Sequence, residues 1–423
     1  MGLTMAEKIL SKASNSSRVQ PGEIIQAKVD LVMVHDLTGP LAIKAMNEIG
    51  VEKVWDPEKI VVVLDHQVPA DKIGSANLHV TLRKFVKKHR IRNFYDIGRG
   101  GICHQVLAER GHVLPGQLVI GADSHTCTLG ALGAFATGVG STDAAAAILA
   151  GEIWMKVPES MKISVYGDMP PLVSAKDLIL KIIGDVGSDG ATYKAVEFAG
   201  ETIRSMNMAG RMTLCNMAVE MGAKTGMVAP DEATISYLGH RDLAMVKADR
   251  SAEYYEIREY DASKLTPMVA CPPRVDKVKP VSEVEEVEVN QVFIGSCTNG
   301  RVEDIVEAVK IIKGRKIADD VRCIVIPASV WEYEKALNQG LIQELVKAGC
   351  YVCPPTCGPC LGGHMGVLGE GEIAVSTSNR NFIGRMGHKS SKVYIVSPTT
   401  AAATAITGRL TDPRELKLGN RWR

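Results

Sequence analysis

Three stretches of the 423-residue chain share one design, a continuous run of β-branched and other apolar residues that ends abruptly in chemically useful polar ones. EKIVVVLDHQ delivers Asp65 and His66, GQLVIGADSHT delivers Asp123, Ser124 and His125, and VNQVFIGSCTNG delivers Ser296, Cys297 and Asn299. Apolar runs without polar alternation belong to strands covered on both faces, as in parallel sheets flanked by helices. VRCIVIPAS and SKVYIVSPTTAAATAI extend the pattern, each apolar run being followed by a helical-looking segment. The expected class is therefore α/β, with mainly parallel sheets. In such sheets ligands sit beyond the carboxyl ends of the strands, so the Asp, His, Ser and Cys residues placed there are expected to serve one shared cleft.

A chain of this length exceeds one minimal core and predicts two or three domains. Between Lys156 and about Lys247 the patterns shorten, with helical stretches such as SAKDLILKIIGDVG and AGRMTLCNMAVEMGAK. CPPRVDKVKPVSEVEEVEVN has no amphipathic period and reads as a linker. Boundaries are accordingly expected near 155 and 285, giving domains 1–155, 156–285 and 286–423. With 49 Lys and Arg against 48 Asp and Glu, the chain lacks the basic excess of a general nucleic-acid or membrane-surface binder. MGLTMAEKILSKAS reads as a short amphipathic helix rather than a signal peptide, and Ala6 stands where a myristoylation motif wants Ser or Thr. The weakly charged stretch 126–150 is too polar and glycine-rich for a membrane span. A cytoplasmic protein is expected.

Of ten cysteines, six are scattered singly (Cys103, Cys127, Cys215, Cys271, Cys297, Cys323) and four crowd between Cys350 and Cys360. CPPTCGPC, residues 353–360, spells a thiol–disulfide exchange motif. Such a motif needs its first cysteine at a helix start, where the dipole lowers the thiol pKa. LGGHMGVLGEGE follows instead, with five glycines in twelve residues, which is a poor helix. Cys350, Cys353, Cys357 and Cys360 leave only three residues between the two pairs, a short excursion for structural zinc. An iron–sulfur cluster fits better: two cysteines in a Gly- and Pro-rich loop wrap one edge, and a distant strand-end thiolate, Cys297 in GSCTNG, completes the grip. Three protein ligands on a four-iron cluster leave one iron open, a Lewis acid rather than an electron wire. The glycines of YDIGRGGICHQ do not make a dinucleotide fingerprint, since Cys103 stands where the third glycine belongs.

GSCTNG, CGPC and SNRNFIGRMG, together with DH at 65–66, GGICH at 100–104, DSHT at 123–126 and VEFAG at 196–200, resemble the aconitase superfamily of iron–sulfur hydro-lyases in the same order. The resemblance spans nearly the whole chain. It implies three aconitase-like α/β domains and one 4Fe–4S cluster with an open, labile fourth iron, held by Cys297, Cys357 and Cys360. It also implies a fourth, swivelling domain carried by a separate small subunit, whose serine takes the substrate proton. Met386 and Gly387 after NRNFIGR resemble the isopropylmalate and homoaconitate branch, which acts on hydroxy-dicarboxylates. A remoter implication, RNA binding by a cluster-free chain, runs against the balanced charge.

By the same resemblance Asp65 and His66 form the acid pair at the leaving hydroxyl. His104 with Asp123, and His125 with Glu197, are expected as further imidazole–carboxylate pairs around the open iron. Such pairing is sensible because a carboxylate fixes the tautomer of its histidine and raises its basicity. Arg380 and Arg385 suit the substrate carboxylates, their guanidinium groups presenting a planar fork. Asn379 is expected to steady the cluster, and Ser124 and His35 to contact substrate. His35 and Thr128 depart from the amide residues that aconitase itself carries at those positions.

Overall fold

The structure, a computed structural model, describes residues 2–239 and 243–416. By its packing the chain divides into two compact units: one is the chain up to Gly167 with Asp189–Asp261, the other Asp168–Ser188 with the chain from Ala262 onward. The expected boundary near 155 falls inside the strand Glu152–Lys156, and the one near 285 falls between the segments Val281–Glu283 and Gln291–Ile294.

The first unit holds a five-stranded sheet in the order Asn93–Tyr95, Ile60–Val63, Leu31–His35, Leu118–Gly121, Phe135–Gly138. Every pair in it is parallel, as the unbroken apolar runs require. Its three inner strands are buried along their whole length. A second, four-stranded parallel sheet runs Thr225–Val228, Ala195–Ala199, Ser160–Tyr166, Glu256–Asp261. Ile24–Lys28 and Glu152–Lys156 form an antiparallel pair beside them. The N-terminal helix Met5–Ala13 starts with a capping box in which Glu7 accepts the Thr4 N–H at 2.7 Å while Thr4 Oγ1 accepts that of Glu7. It buries Met5, Ile9 and Leu10 in the same core as Val32, Val34, Ile60 and Val62.

The second unit is built on a seven-stranded sheet, Val278–Pro280, Met268–Ala270, Lys392–Val396, Ile373–Ser376, Gln291–Ile294, Arg322–Val325, Tyr351–Val352. It is parallel except at Met268–Ala270, which runs against both neighbours. The helix Val302–Ile312 buries Ile305, Ala308, Val309 and Ile312, a spacing that sets one apolar stripe on the core. Truncating such an isoleucine to alanine costs about 2–5 kcal/mol.

One reading of the sequence is corrected here. The supposed linker 271–290 contains an edge strand, Val278–Pro280, and a short turn of helix, Val281–Glu283. Three residues are too few to show a period, and Pro280 is tolerated because it sits on the outermost strand. Among the described residues no helix is long and apolar enough to cross a membrane.

Candidate active site

In the first unit the parallel register brings three strand ends to one level, His35 lying opposite Val63 and Met33 opposite Gly121. The residues just beyond them are Asp36, Asp65 with His66, and Asp123. Asp36 organises the turn that follows Ile60–Val63: its Oδ1 accepts the N–H groups of Asp65 at 3.0 Å and His66 at 2.9 Å, and its Oδ2 that of Gln67 at 2.8 Å. Burial would raise the Asp36 pKa, but His79, His66, His35 and the backbone donors hold it far below the ordinary carboxylate range.

Asp65 is fully buried and faces two ways. One oxygen accepts the Cys103 N–H at 2.7 Å, at the start of the helix Cys103–Glu109; the other meets His66 Nδ1 at 2.7 Å. The helix start thus fixes the carboxylate, and the carboxylate fixes the imidazole. Burial alone would depress the His66 pKa, yet Asp65, Asp123 and Asp36 push it well above its usual value. The charged imidazolium form of His66 is thereby favoured. Its ring stacks on that of His35, with centroids 3.9 Å apart and planes 14° from parallel.

Asp123 is the hub of the group. Its Oδ1 lies 2.8 Å from His104 Nε2 and accepts the His125 N–H at 2.7 Å. Its Oδ2 lies 3.6 Å from both His35 Nε2 and His66 Nε2. Burial opposes ionisation, but His104, His125 and His35 hold this carboxyl well below its usual pKa. With Nε2 engaged, His104 Nδ1 makes no hydrogen bond among the described residues. Ser124 Oγ approaches His125 Nδ1 at 3.4 Å. Thr128 is structural: its hydroxyl donates to the His125 carbonyl at 2.6 Å and accepts from Asn216 at 2.8 Å.

His125 and Glu197 are not a pair. His125 Nε2 meets Glu220 Oε1 at 2.8 Å, both side chains being buried. Glu197 instead accepts the Met5 N–H at 2.7 Å and the Tyr254 hydroxyl at 2.9 Å, tying the N-terminal helix to the four-stranded sheet. Burial raises the Glu197 pKa, against the pull of those donors.

His35, Asp36, Asp65 and His66 offer ligand atoms within 4.8 Å of one another, close enough for one metal ion. Their existing commitments argue for proton chemistry instead. Both Asp36 oxygens already accept backbone N–H groups, and His66 Nδ1 is held by Asp65.

In the second unit the strand Gln291–Ile294 ends at Gly295, where a Cβ would stand 2.7 Å from the Ile326 carbonyl oxygen and 2.9 Å from the Phe293 ring. Ser296 follows with φ of 78°, left-handed geometry that a non-glycine residue adopts at a cost of order 1–3 kcal/mol. This turn presents Cys297. The Ser296 hydroxyl lies 3.7 Å from Cys297 Sγ and 3.5 Å from Cys360 Sγ. Asn379 spans the same sulfurs, its amide donating to Cys297 Sγ at 3.4 Å while its oxygen lies 3.8 Å from Cys360 Sγ. Cys357 precedes the turn Gly358–Leu361 that carries Cys360. A hydrogen bond from Cys357 lowers the Cys360 pKa well below its usual value; burial opposes this, and Arg385 and Ser296 assist. Arg385 Nη2 donates to Cys360 Sγ at 3.8 Å, and Arg380 is half-buried at the start of the same loop.

These residues fit an iron–sulfur cluster. All three thiols are buried, and Cys297 and Cys360 share a hydroxyl and an amide. One of them is already biased toward thiolate, the form that ligates iron. Cys350 lies 3.5 Å from Cys323 in the apolar core, apart from this group.

Three residues escaped the sequence reading. Asp36 follows His35 at a strand end and obeys the rule that found Asp65. Glu220 is a lone carboxylate in the apolar stretch MAVEMGAK, and Lys176 a lone ammonium in SAKDLIL. Neither of those two lies at a strand end.

The family described as the aconitase family (aconitate hydratase) matches residues 7–408. A 3-isopropylmalate dehydratase large subunit 1 from Methanopyrus kandleri is 55% identical, covering 98% of this chain and 99% of its own length. The 3-isopropylmalate dehydratase large subunits of Thermodesulfovibrio yellowstonii and Aquifex aeolicus are each 53% identical, over 99% and 98% of this chain and 100% and 98% of their own.

Proposed function

The chain belongs to the aconitase family, and from that premise we propose that it is the catalytic large subunit of a hydro-lyase interconverting 2-isopropylmalate and 3-isopropylmalate by loss and re-addition of water. The observation that carries this reading is the convergence of Cys297 and Cys360 on Ser296 and Asn379, with Cys357 bonded to a Cys360 held toward thiolate. Whole-length similarity to proteins named for this activity supports the substrate assignment.

Hydroxide is a poor leaving group. A four-iron cluster held by Cys297, Cys357 and Cys360, with its fourth iron open, supplies when bound a Lewis acid that weakens the carbon–oxygen bond. His66, whose charged form Asp65, Asp123 and Asp36 favour, delivers a proton from Nε2 to the departing oxygen, a role worth about 10²–10⁴-fold. Asp65 holds its ring, and Asp36 holds the turn that carries both. His104 and His125 are oriented by Asp123 and Glu220 and order the water that leaves and returns. Arg380 and Arg385 bind the substrate carboxylates, where a planar fork gives direction as well as charge. The group that removes the carbon-bound proton belongs to a small subunit, so the chain works as one half of a heteromer, in the cytoplasm.

The test is anaerobic reconstitution of the purified chain with iron and sulfide, followed by mixing with its small subunit. Turnover of 2-isopropylmalate by the mixture and not by either chain is expected. A chain that takes up no cluster, or one fully active alone, overturns the assignment.

A further inference from the structure

Lys176 lies in the first turn of the helix Ala175–Val186 and has no solvent exposure. Its ammonium donates to Asn299 Oδ1 at 3.0 Å, to the Thr377 carbonyl at 2.6 Å and to the Ser378 carbonyl at 2.7 Å. Three acceptors match the three N–H donors of a protonated amine, and none of them can offer a proton in return. The acceptors come from two loops. Asn299 is two residues past Cys297; Thr377 and Ser378 immediately precede Asn379, whose amide donates to the Cys297 sulfur. A second tie joins the same loops, Thr377 Oγ1 accepting the Gly295 N–H at 2.9 Å.

Arg301 acts on the Cys297 loop in the same way. It is buried and donates to the carbonyls of Cys297 and Thr298, each at 2.8 Å. Asp304 joins the two cations at one remove, accepting from the Asn299 amide at 2.8 Å and from the Arg301 N–H at 3.1 Å. Among the described residues no carboxylate bonds directly to Lys176. Burial pulls its pKa down to about 7, opposed by the attraction of Asp304, Cys297 and Cys360. A fully buried ammonium is costly unless a negative group nearby repays it. The thiols of Cys297 and Cys360 sit in this neighbourhood, and a cluster bound through thiolates is anionic.

We propose that Lys176 is a positioning residue of the cluster site: it locks the Cys297 loop to the loop bearing Asn379 and supplies a buried positive charge that holds the anionic cluster. The proposal rests on the cluster reading given above. It makes the hydrogen bonds of the lysine matter to the empty chain and its charge matter to the loaded one. A lysine needed only for packing would act the same in both.

Lys176→Met and Lys176→Gln separate charge from hydrogen bonding. Each variant and the parent chain are melted without iron, then reconstituted anaerobically. Iron and sulfide per chain, the rate of cluster loss to a chelator, and the cluster's reduction potential are then measured. Without iron, Lys176→Gln still offers two N–H donors to the three acceptors and should melt near the parent, whereas Lys176→Met strands them and should melt lower. Cluster loss should be about 10–100-fold faster, the usual effect of removing a partner one shell out from a metal. The potential should move to more negative values, because a nearby positive charge favours the reduced cluster. Cluster retention and potential equal to the parent's in both variants overturn the proposal. So does failure of both to fold, which makes Lys176 a requirement of the unit rather than of the site. A parent chain that takes up no cluster sinks the cluster reading itself and is distinguishable from either result.

Discussion

Glu220→Gln removes one negative charge from a buried pair whose members lie 2.8 Å apart. A charge-assisted hydrogen bond of this kind contributes about 1.5–3 kcal/mol. At about 1.36 kcal/mol per tenfold in rate, losing it wherever His125 acts in the transition state costs about 10–100-fold in kcat. Glutamine keeps an oxygen for the imidazole N–H and should sit near the lower figure. Glu220→Ala leaves that nitrogen unpaired in a buried setting and should sit near the upper one. Glu197→Ala is the contrasting perturbation. It strands the Met5 N–H and the Tyr254 hydroxyl, about 1–3 kcal/mol for each buried group left unpaired. It should lower the melting temperature by several degrees while leaving kcat within about twofold. The assay is steady-state turnover of 2-isopropylmalate by the reconstituted heteromer, with thermal melts of the same preparations. Normal turnover in Glu220→Gln, with lost turnover and an unchanged melt in Glu197→Ala, would refute the pairing argument.

Four further variants probe the site. His66→Ala should lower kcat by about 10²–10⁴-fold, with cluster absorbance unchanged. Because the His66 pKa is raised above the ordinary 6.5, the acid form persists through neutrality and kcat should fall only on the alkaline side. Asp65→Asn removes a carboxylate that raises that pKa, so the alkaline limb should move to lower pH; a limb that stays put excludes His66 as the acid. Asp36 has a folded-state pKa depressed below its ordinary 3.8, so its stabilisation is complete above that value and is lost as the pH falls through it and below. Asp36→Ala should therefore lower stability at pH 7 and flatten its decline in acid, read from urea midpoints at several pH values. Cys360→Ser should abolish cluster uptake, measured as bound iron, without altering the iron-free circular dichroism spectrum.

Sequence made the strand ends legible because a doubly covered strand must be apolar until it stops. The residue at which Ile60–Val63 or Leu118–Gly121 stops is thus visible as the first polar one. Asp65, His66, Asp123 and Cys297 were found in this way, and the family resemblance named their partners. Partners are where the linear reading thins out. His125 and Glu220 are 95 positions apart, and nothing local distinguishes Glu220 from Glu197. The latter sits on a strand in a motif that carries the resemblance; the former follows the helix Met208–Met217 in a short turn. Only packing settles which carboxylate faces the imidazole. The edge strand Val278–Pro280 was missed for a different reason: an outer strand of three residues, one of them proline, has neither the length nor the apolar content that marks the inner ones.

The two units meet opposite electrostatic demands with one device, a buried charge fixed by backbone groups rather than by a single counter-ion. In the first unit Asp36 is held by three backbone N–H groups. Its charge, shared with His79 at 3.5 Å, also favours protonation of His66. In the second unit Lys176 and Arg301 donate to the carbonyls of Thr377, Ser378, Cys297 and Thr298. Had Lys176 been bonded head-on to a carboxylate, the pair would present little net field to the nearby sulfurs. Asp304 stands one residue removed, and burial raises its pKa to about 6, against the pull of Arg301 and Asn299. Carbonyl oxygens fix the position of a cation while carrying no charge of their own. A lysine meant only to knit two loops gains nothing from avoiding a carboxylate, whereas one meant to hold an anion gains the whole of its charge.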